Sequence, residues 1–150
     1  MRRLRSLLPF LVLVAAVSCT ESGPFVPDIA TTNFAPALGV DLANSVRTPS
    51  GLYYRDMVIG TGAEHPLTGG GPVSTSYTLF LRSGTLLQSG TLSFEPGEPI
   101  AGYDEGVRGM RVGGRRQLIV PPALGYGSVG SSLVPPNSIL IFVVDLVSIP

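Results

Sequence analysis

Ile100-Ala101-Gly102-Tyr103-Asp104-Glu105-Gly106-Val107-Arg108-Gly109-Met110-Arg111-Val112-Gly113-Gly114 is the one stretch of this chain that reads as a helix followed by a stop. Pro99 suits a first helical turn, and Ile100, Tyr103 and Val107 recur at helical spacing. Gly109 and Gly113-Gly114 end the pattern, so a helix is predicted over residues 99–110, its first turn favoured by the charges of Asp104 and Glu105. Outward from it the chain reads as strands. Residues 52–59 are rich in strand formers and end at Gly60-Thr61-Gly62. Residues 72–82 alternate, with Val73, Thr75, Tyr77, Leu79 and Leu81 on a core face, and Ser83-Gly84 then turns the chain toward Leu86-Leu87. Residues 116–120 and 138–147 form two more strands. The second is apolar on both faces, which places it centrally or covers its back. Antiparallel strands wrapped around one short helix make an α+β domain beginning near Gly51.

Composition agrees with a turn-rich β protein. The 150 residues include 19 Gly and 14 Pro, and the length allows one domain once a leader is removed. All ten basic residues are Arg, three of them at Arg2, Arg3 and Arg5, so a chain without its leader carries seven bases against ten acids. With no cluster of positive charge to displace counterions, nucleic acid is not an expected partner.

Residues 1–18 run from those arginines through the apolar segment 7–14 to small residues before Cys19, the order of a secretory signal peptide. The apolar run is too short to span a bilayer, which takes about 20 residues. Ala16-Val17-Ser18-Cys19 resembles a lipobox, in which the cysteine becomes the first mature residue and carries acyl chains. Ordinary cleavage after Ser18 fits the same residues, but it would leave the chain's only cysteine as a lone thiol. Lipidation of Cys19 is the expectation, with anchoring to a membrane by several acyl chains at about 0.8 kcal/mol per buried CH₂. Thr20 resembles the residue found there in outer-membrane sorting, so the expected location is exported, on the periplasmic side. Residues 19–48 contain Pro24, Pro27 and Pro36 and no sustained period, and read as a tether with a reach of about 30 Å. Phe34, Leu38, Val40 and Leu42 are more apolar than a tether needs, and packing on the domain and solvation are both open for them.

The quoted stretch resembles the helix and turn of FK506-binding-type prolyl isomerases. The likeness continues through Arg116-Gln117-Leu118-Ile119-Val120-Pro121 to Tyr126-Gly127, then Leu133-Val134-Pro135-Pro136-Asn137-Ser138 and the closing strand 140–146. It covers residues 49–150 in order. The resemblance implies an antiparallel sheet around one short helix and an apolar pocket that takes a proline ring from polypeptide substrates. Tyr103 falls on the floor position, where the family usually has Trp, and Tyr77 and Phe142 fall on the walls. The Tyr126 hydroxyl and the Ile100 backbone N–H fall where substrate carbonyls are bonded. Leu87, Gln88, Leu92 and Leu133 fall on further substrate-binding positions. Leu87-Gln88 stands for Phe-Asp, Leu92 for a second Phe and Leu79 for a Gly, and the segment before Ile100 is about two residues short. The implied activity is peptidyl-prolyl cis–trans isomerisation of exported proteins, by a monomer without cofactor or metal. The alternative is a non-catalytic, chaperone-like peptide-binding module on the same fold.

Other chemistries find little support. His65, beside Pro66 in a Gly-rich loop, reads as a surface residue, and the scattered acids lack ligand spacing. Gly125-x-Gly127-x-x-Gly130 precedes a Pro-Pro loop instead of opening a helix, so it cannot cradle a dinucleotide.

Overall fold

In a computed structural model of the chain, residues 26–149 are described. Six antiparallel strands form one sheet in the order β1-β2-β5-β6-β3-β4. They are β1 (Val46–Arg47), β2 (Tyr53–Val58), β3 (Val73–Leu81), β4 (Leu86–Phe94), β5 (Arg115–Val120) and β6 (Leu140–Ser148). β6 runs between β5 and β3, and its two apolar faces have separate uses. Leu140, Phe142, Val144 and Leu146 join Leu118, Val120 and Leu79 in a front core, while Ile141 joins Ile119 and Ile139 at the back. Both explanations for a strand apolar on both faces therefore hold: it is central and it is covered behind.

The front carries α1 (Ala101–Val107), which buries Tyr103 and Val107 against the sheet. Gly106 brings it close to β5, since a Cβ there would sit 2.6 Å from Leu118 Cδ1. Arg116 ties the two together. Its guanidinium donates to the Gly106 and Arg108 carbonyls, each at 2.9 Å, pairs with Asp56 at 2.6 Å, and lies over the Tyr54 ring at 4.4 Å. The helix is shorter than the spacing predicts. Arg108 is already extended (φ −65°, ψ 141°), and the segment after it pairs with the loop after β2. Gly109 N–H donates to His65 O, and His65 N–H to Met110 O, both at 2.8 Å. That pairing takes the backbone groups a longer helix would need.

The same pairing overturns the reading of His65 as a surface residue. Its side chain is wholly buried, closed in by the backbone of Gly70. A polar residue in a Gly-rich stretch looks like solvated loop, but this loop is folded back onto the end of α1.

Residues 29–44 do not extend away from the domain. Three short 3₁₀ turns, at Ile29–Thr31, Pro36–Leu38 and Leu42–Asn44, lay Ile29, Phe34, Leu38, Val40 and Leu42 over Ile119, Ile139, Ile141, Tyr53 and Phe80. Gln117 Nε2 donates to Leu38 O at 2.7 Å, fixing this layer to the buried face of β5. Of the two options open for Phe34 to Leu42, packing is the one observed. The leader and Cys19 lie outside the described residues. Among those described, no helix is long and apolar enough to cross a membrane.

Candidate active site

Tyr103 anchors the site. It is 2% exposed, and it meets Phe142 edge-on at 5.1 Å, Phe94 at 5.7 Å and Tyr77 at 6.1 Å between ring centroids. Its hydroxyl bonds to Thr75 Oγ1 at 2.8 Å, which satisfies a buried polar atom. Burial pushes this phenol up to about 12, against the opposing hydrogen bond from Thr75, so it stays neutral. The aromatic group is assembled from β3, β4, α1 and β6: Tyr77, Leu79 and Thr75 share one face of β3, Phe94 ends β4 opposite Val73, and Phe142 lies opposite Leu79 in register.

Above Tyr103 opens a cleft of about 220 Å³ lined by Tyr77, Leu79, Gln88, Leu92, Pro99, Ile100, Tyr103, Tyr126 and Phe142. This is below the roughly 300–1,000 Å³ of drug-sized sites and suits one side-chain ring. No carboxylate, Lys, Arg or His lines it. At its edge, Ile100 caps α1 with extended backbone (φ −55°, ψ 144°), and N–H groups at a helix start have no partner within the helix. Tyr126, 38% exposed, stands at the rim on the loop after the 3₁₀ turn Pro122–Leu124. The loop is closed by Gly127 N–H donating to Pro122 O at 2.9 Å and Asn137 N–H to Gly127 O at 2.8 Å.

Seven of the nine residues expected at the pocket line this cleft: Tyr77, Gln88, Leu92, Ile100, Tyr103, Tyr126 and Phe142. Leu87 and Leu133 do not. Leu87 sits where the β3–β4 register shifts, between the pairs Leu79↔Gln88 and Phe80↔Leu86, and packs beside the front core. Leu133 is 54% exposed, because Ser131 Oγ accepts from both Leu133 N–H and Val134 N–H and the turn buries Val134 instead. Leu79 and Pro99 line the cleft without having been assigned to it. Leu79 was legible, being on the same strand face as Tyr77. Larger grooves of about 530 and 490 Å³ lie on the far side, between residues 27–35 and Asn137, and contain none of the expected residues. Among the described residues, no group of three or more His, Cys, Asp or Glu is placed to hold a metal ion.

A neutral aromatic cleft over a short helix, walled by an antiparallel sheet and edged by the residue that caps the helix and by a tyrosine, belongs to an α+β domain. Residues 64–147 match the family model for FKBP-type peptidyl-prolyl cis-trans isomerase. The chain belongs to that family. It is 36% identical over 107 residues to an FK506-binding protein of Neisseria meningitidis, covering 66% of this chain and 96% of that one. FK506-binding protein 4 of Dictyostelium discoideum is 41% identical over 109 residues, 69% of this chain, but the match spans only 29% of that protein. The crystal structure of FkpA from Escherichia coli superimposes with a TM-score of 0.65 at 32% identity, covering 71% of this chain and 51% of that chain. The fold is thus the FKBP fold, and several of the matched proteins are far longer than this chain.

Proposed function

We propose that this protein is a peptidyl-prolyl cis–trans isomerase that acts on Xaa-Pro bonds of exported polypeptides from a membrane surface. The carrying observation is the cleft itself: three aromatic rings round a site for one ring, with Ile100 at the helix start and Tyr126 on its lining. Rotation about an Xaa-Pro bond meets a barrier of about 18–20 kcal/mol because amide resonance is lost at the twisted state. No bond to carbon forms or breaks, so no nucleophile is required. Each tenfold acceleration needs about 1.4 kcal/mol of preferential binding to the twisted amide. In this reading Tyr103 supports the proline ring from below and Tyr77 and Phe142 hold it laterally. Ile100 N–H and the Tyr126 hydroxyl bond the flanking carbonyls, fixing the chain on either side while the amide turns.

The test is protease-coupled isomerisation of a short Xaa-Pro peptide by residues 20–150, which retain every described element. Phe142→Ala should lower kcat/KM by tenfold or more, and Tyr126→Phe, losing one hydrogen bond, by about three- to tenfold. A folded protein that binds the peptide without accelerating it would instead support the non-catalytic peptide-binding module. That second reading draws on Gln88, Leu92 and Tyr103, which line the cleft at the positions where the family usually has Asp, Phe and Trp.

Placement at the membrane rests on residues 1–19 alone. Lipid on Cys19 would hold the domain on the periplasmic side of a membrane. Incorporation of labelled fatty acid that disappears in Cys19→Ala is the expected result, and incorporation unchanged by the substitution would remove this part of the reading.

A further inference from the structure

β4 is the outermost strand at one end of the sheet, so the outward N–H and C=O groups along its nine residues have no strand partner among the described residues. Proteins protect such edges with charge, proline or brevity, because a bare edge templates pairing with another chain. The opposite edge obeys this rule, since β1 is two residues long. β4 does not. Leu86–Phe94 contains no charged residue and no proline, and it follows β3 along its length with one register shift.

Gly90, at the middle of β4, adds an independent observation. A Cβ there would approach nothing closer than Tyr77 Cε1 at 3.9 Å, so packing within the fold does not require glycine. The bare position falls between Gln88 and Leu92, two residues of the cleft wall, and shares their face of the strand. A glycine inside a strand often marks a bulge, a tight bend or the close approach of a ligand or another backbone, and the pairing of β4 with β3 is regular from Gln88 to Phe94, with no bulge at Gly90.

We propose that the free edge of β4 docks an extended segment of the proline-containing polypeptide, which pairs with it as a seventh strand while the proline occupies the cleft. This rests on the isomerase reading of the cleft and adds where the residues flanking the proline go. Continuity decides the occupant: the edge strand and the cleft share Gln88 and Leu92, so one chain can engage both across the bare position at Gly90. Main-chain pairing is indifferent to side-chain identity, and a neutral edge repels neither acidic nor basic segments. The site therefore suits unfolded polypeptides of varied sequence.

The test compares two peptides sharing one Xaa-Pro core, a tetrapeptide and a twelve-residue peptide with Thr/Val flanks, bound to residues 20–150 and followed by fluorescence anisotropy. Two or three added main-chain bonds should tighten the longer peptide by about tenfold or more. N-methylation of alternate flanking residues should abolish the gain. Gly90→Val, which fills the bare position beside Tyr77, should also abolish the gain, read as the ratio of the two peptides' affinities so that any change at the Tyr77 wall cancels. Equal binding of the two peptides, or a gain that survives both N-methylation and Gly90→Val, would overturn the proposal. So would a doubling of mass with concentration that Gly90→Val prevents, which would give the edge to a second copy. Turnover of the tetrapeptide reports the cleft alone, so failure of the isomerase reading would be seen separately.

Discussion

His65 is fully buried, and neither ring nitrogen has a hydrogen-bond partner among the described residues. Such a group is tolerated only while neutral, because a buried unpaired charge is far costlier than a buried unpaired dipole. The charges facing it are Asp104 on α1 and Arg108 just beyond its end, themselves paired at 2.8 Å, with the Glu64–Arg111 pair on the adjoining backbone bridge. Burial, then Arg108, pushes the imidazole below its ordinary range, and Asp104 opposes. The folded state therefore binds fewer protons than the unfolded state once pH falls below about 6.5. Stability is full above that value and declines as pH falls toward the folded-state value. As His65 is the only histidine, the slope between about pH 5.5 and 7 belongs to it. Urea midpoints should fall across this range in the native chain and stay flat in His65→Phe. Equal slopes in both would show that His65 ionises without leaving its site.

At the scale of elements, α1 owes its position to contact more than to intrinsic helix preference. Seven residues with two glycines make a marginal helix, and such a segment is stabilised by packing. Gly106→Ala would gain about 1 kcal/mol of helix propensity. Its new methyl would also be forced against Leu118, and overpacking of that kind costs about 1–3 kcal/mol. The expected outcome is a net loss of up to about 2 kcal/mol in urea unfolding, together with weaker isomerisation, since Tyr103 and Ile100 move with α1. A stabilised variant would mean that the gap between α1 and β5 is looser than 2.6 Å implies.

For the whole molecule, the decisive feature is the layer of residues 29–44 on the back of the sheet. Without it Ile119, Ile139, Ile141 and Phe80 would face water. Each fully buried aliphatic or aromatic side chain is worth about 1.5–3 kcal/mol, less the cost of ordering the covering segment. Residues 49–150 alone should thus be less stable than residues 26–150 by roughly 3 kcal/mol or more. They should also bind a hydrophobic dye and aggregate on mild warming. Equal denaturant midpoints for the two lengths would show that the covering layer contributes no net stability.

The periodicities of β2, β3, β5 and β6, the helix signal at Ile100 to Val107 and most of the cleft were legible in the residues, because alternation and helical spacing are local properties. Tyr77, Tyr103 and Phe142 lie on faces those periods assign, and the family likeness says which faces meet. β4 was legible only at Leu86-Leu87. Gln88-Ser89-Gly90-Thr91 has no strand preference and becomes strand by pairing with β3. The sequence by itself determined the elements, the buried faces and the neutral character of the site. Only the tertiary structure decided that the segment before β1 covers the back sheet, that α1 stops at Val107, that His65 is buried and that Val134 turns inward in place of Leu133. Each of these is a competition between backbone or apolar groups distant in sequence, and no local pattern records which partner wins.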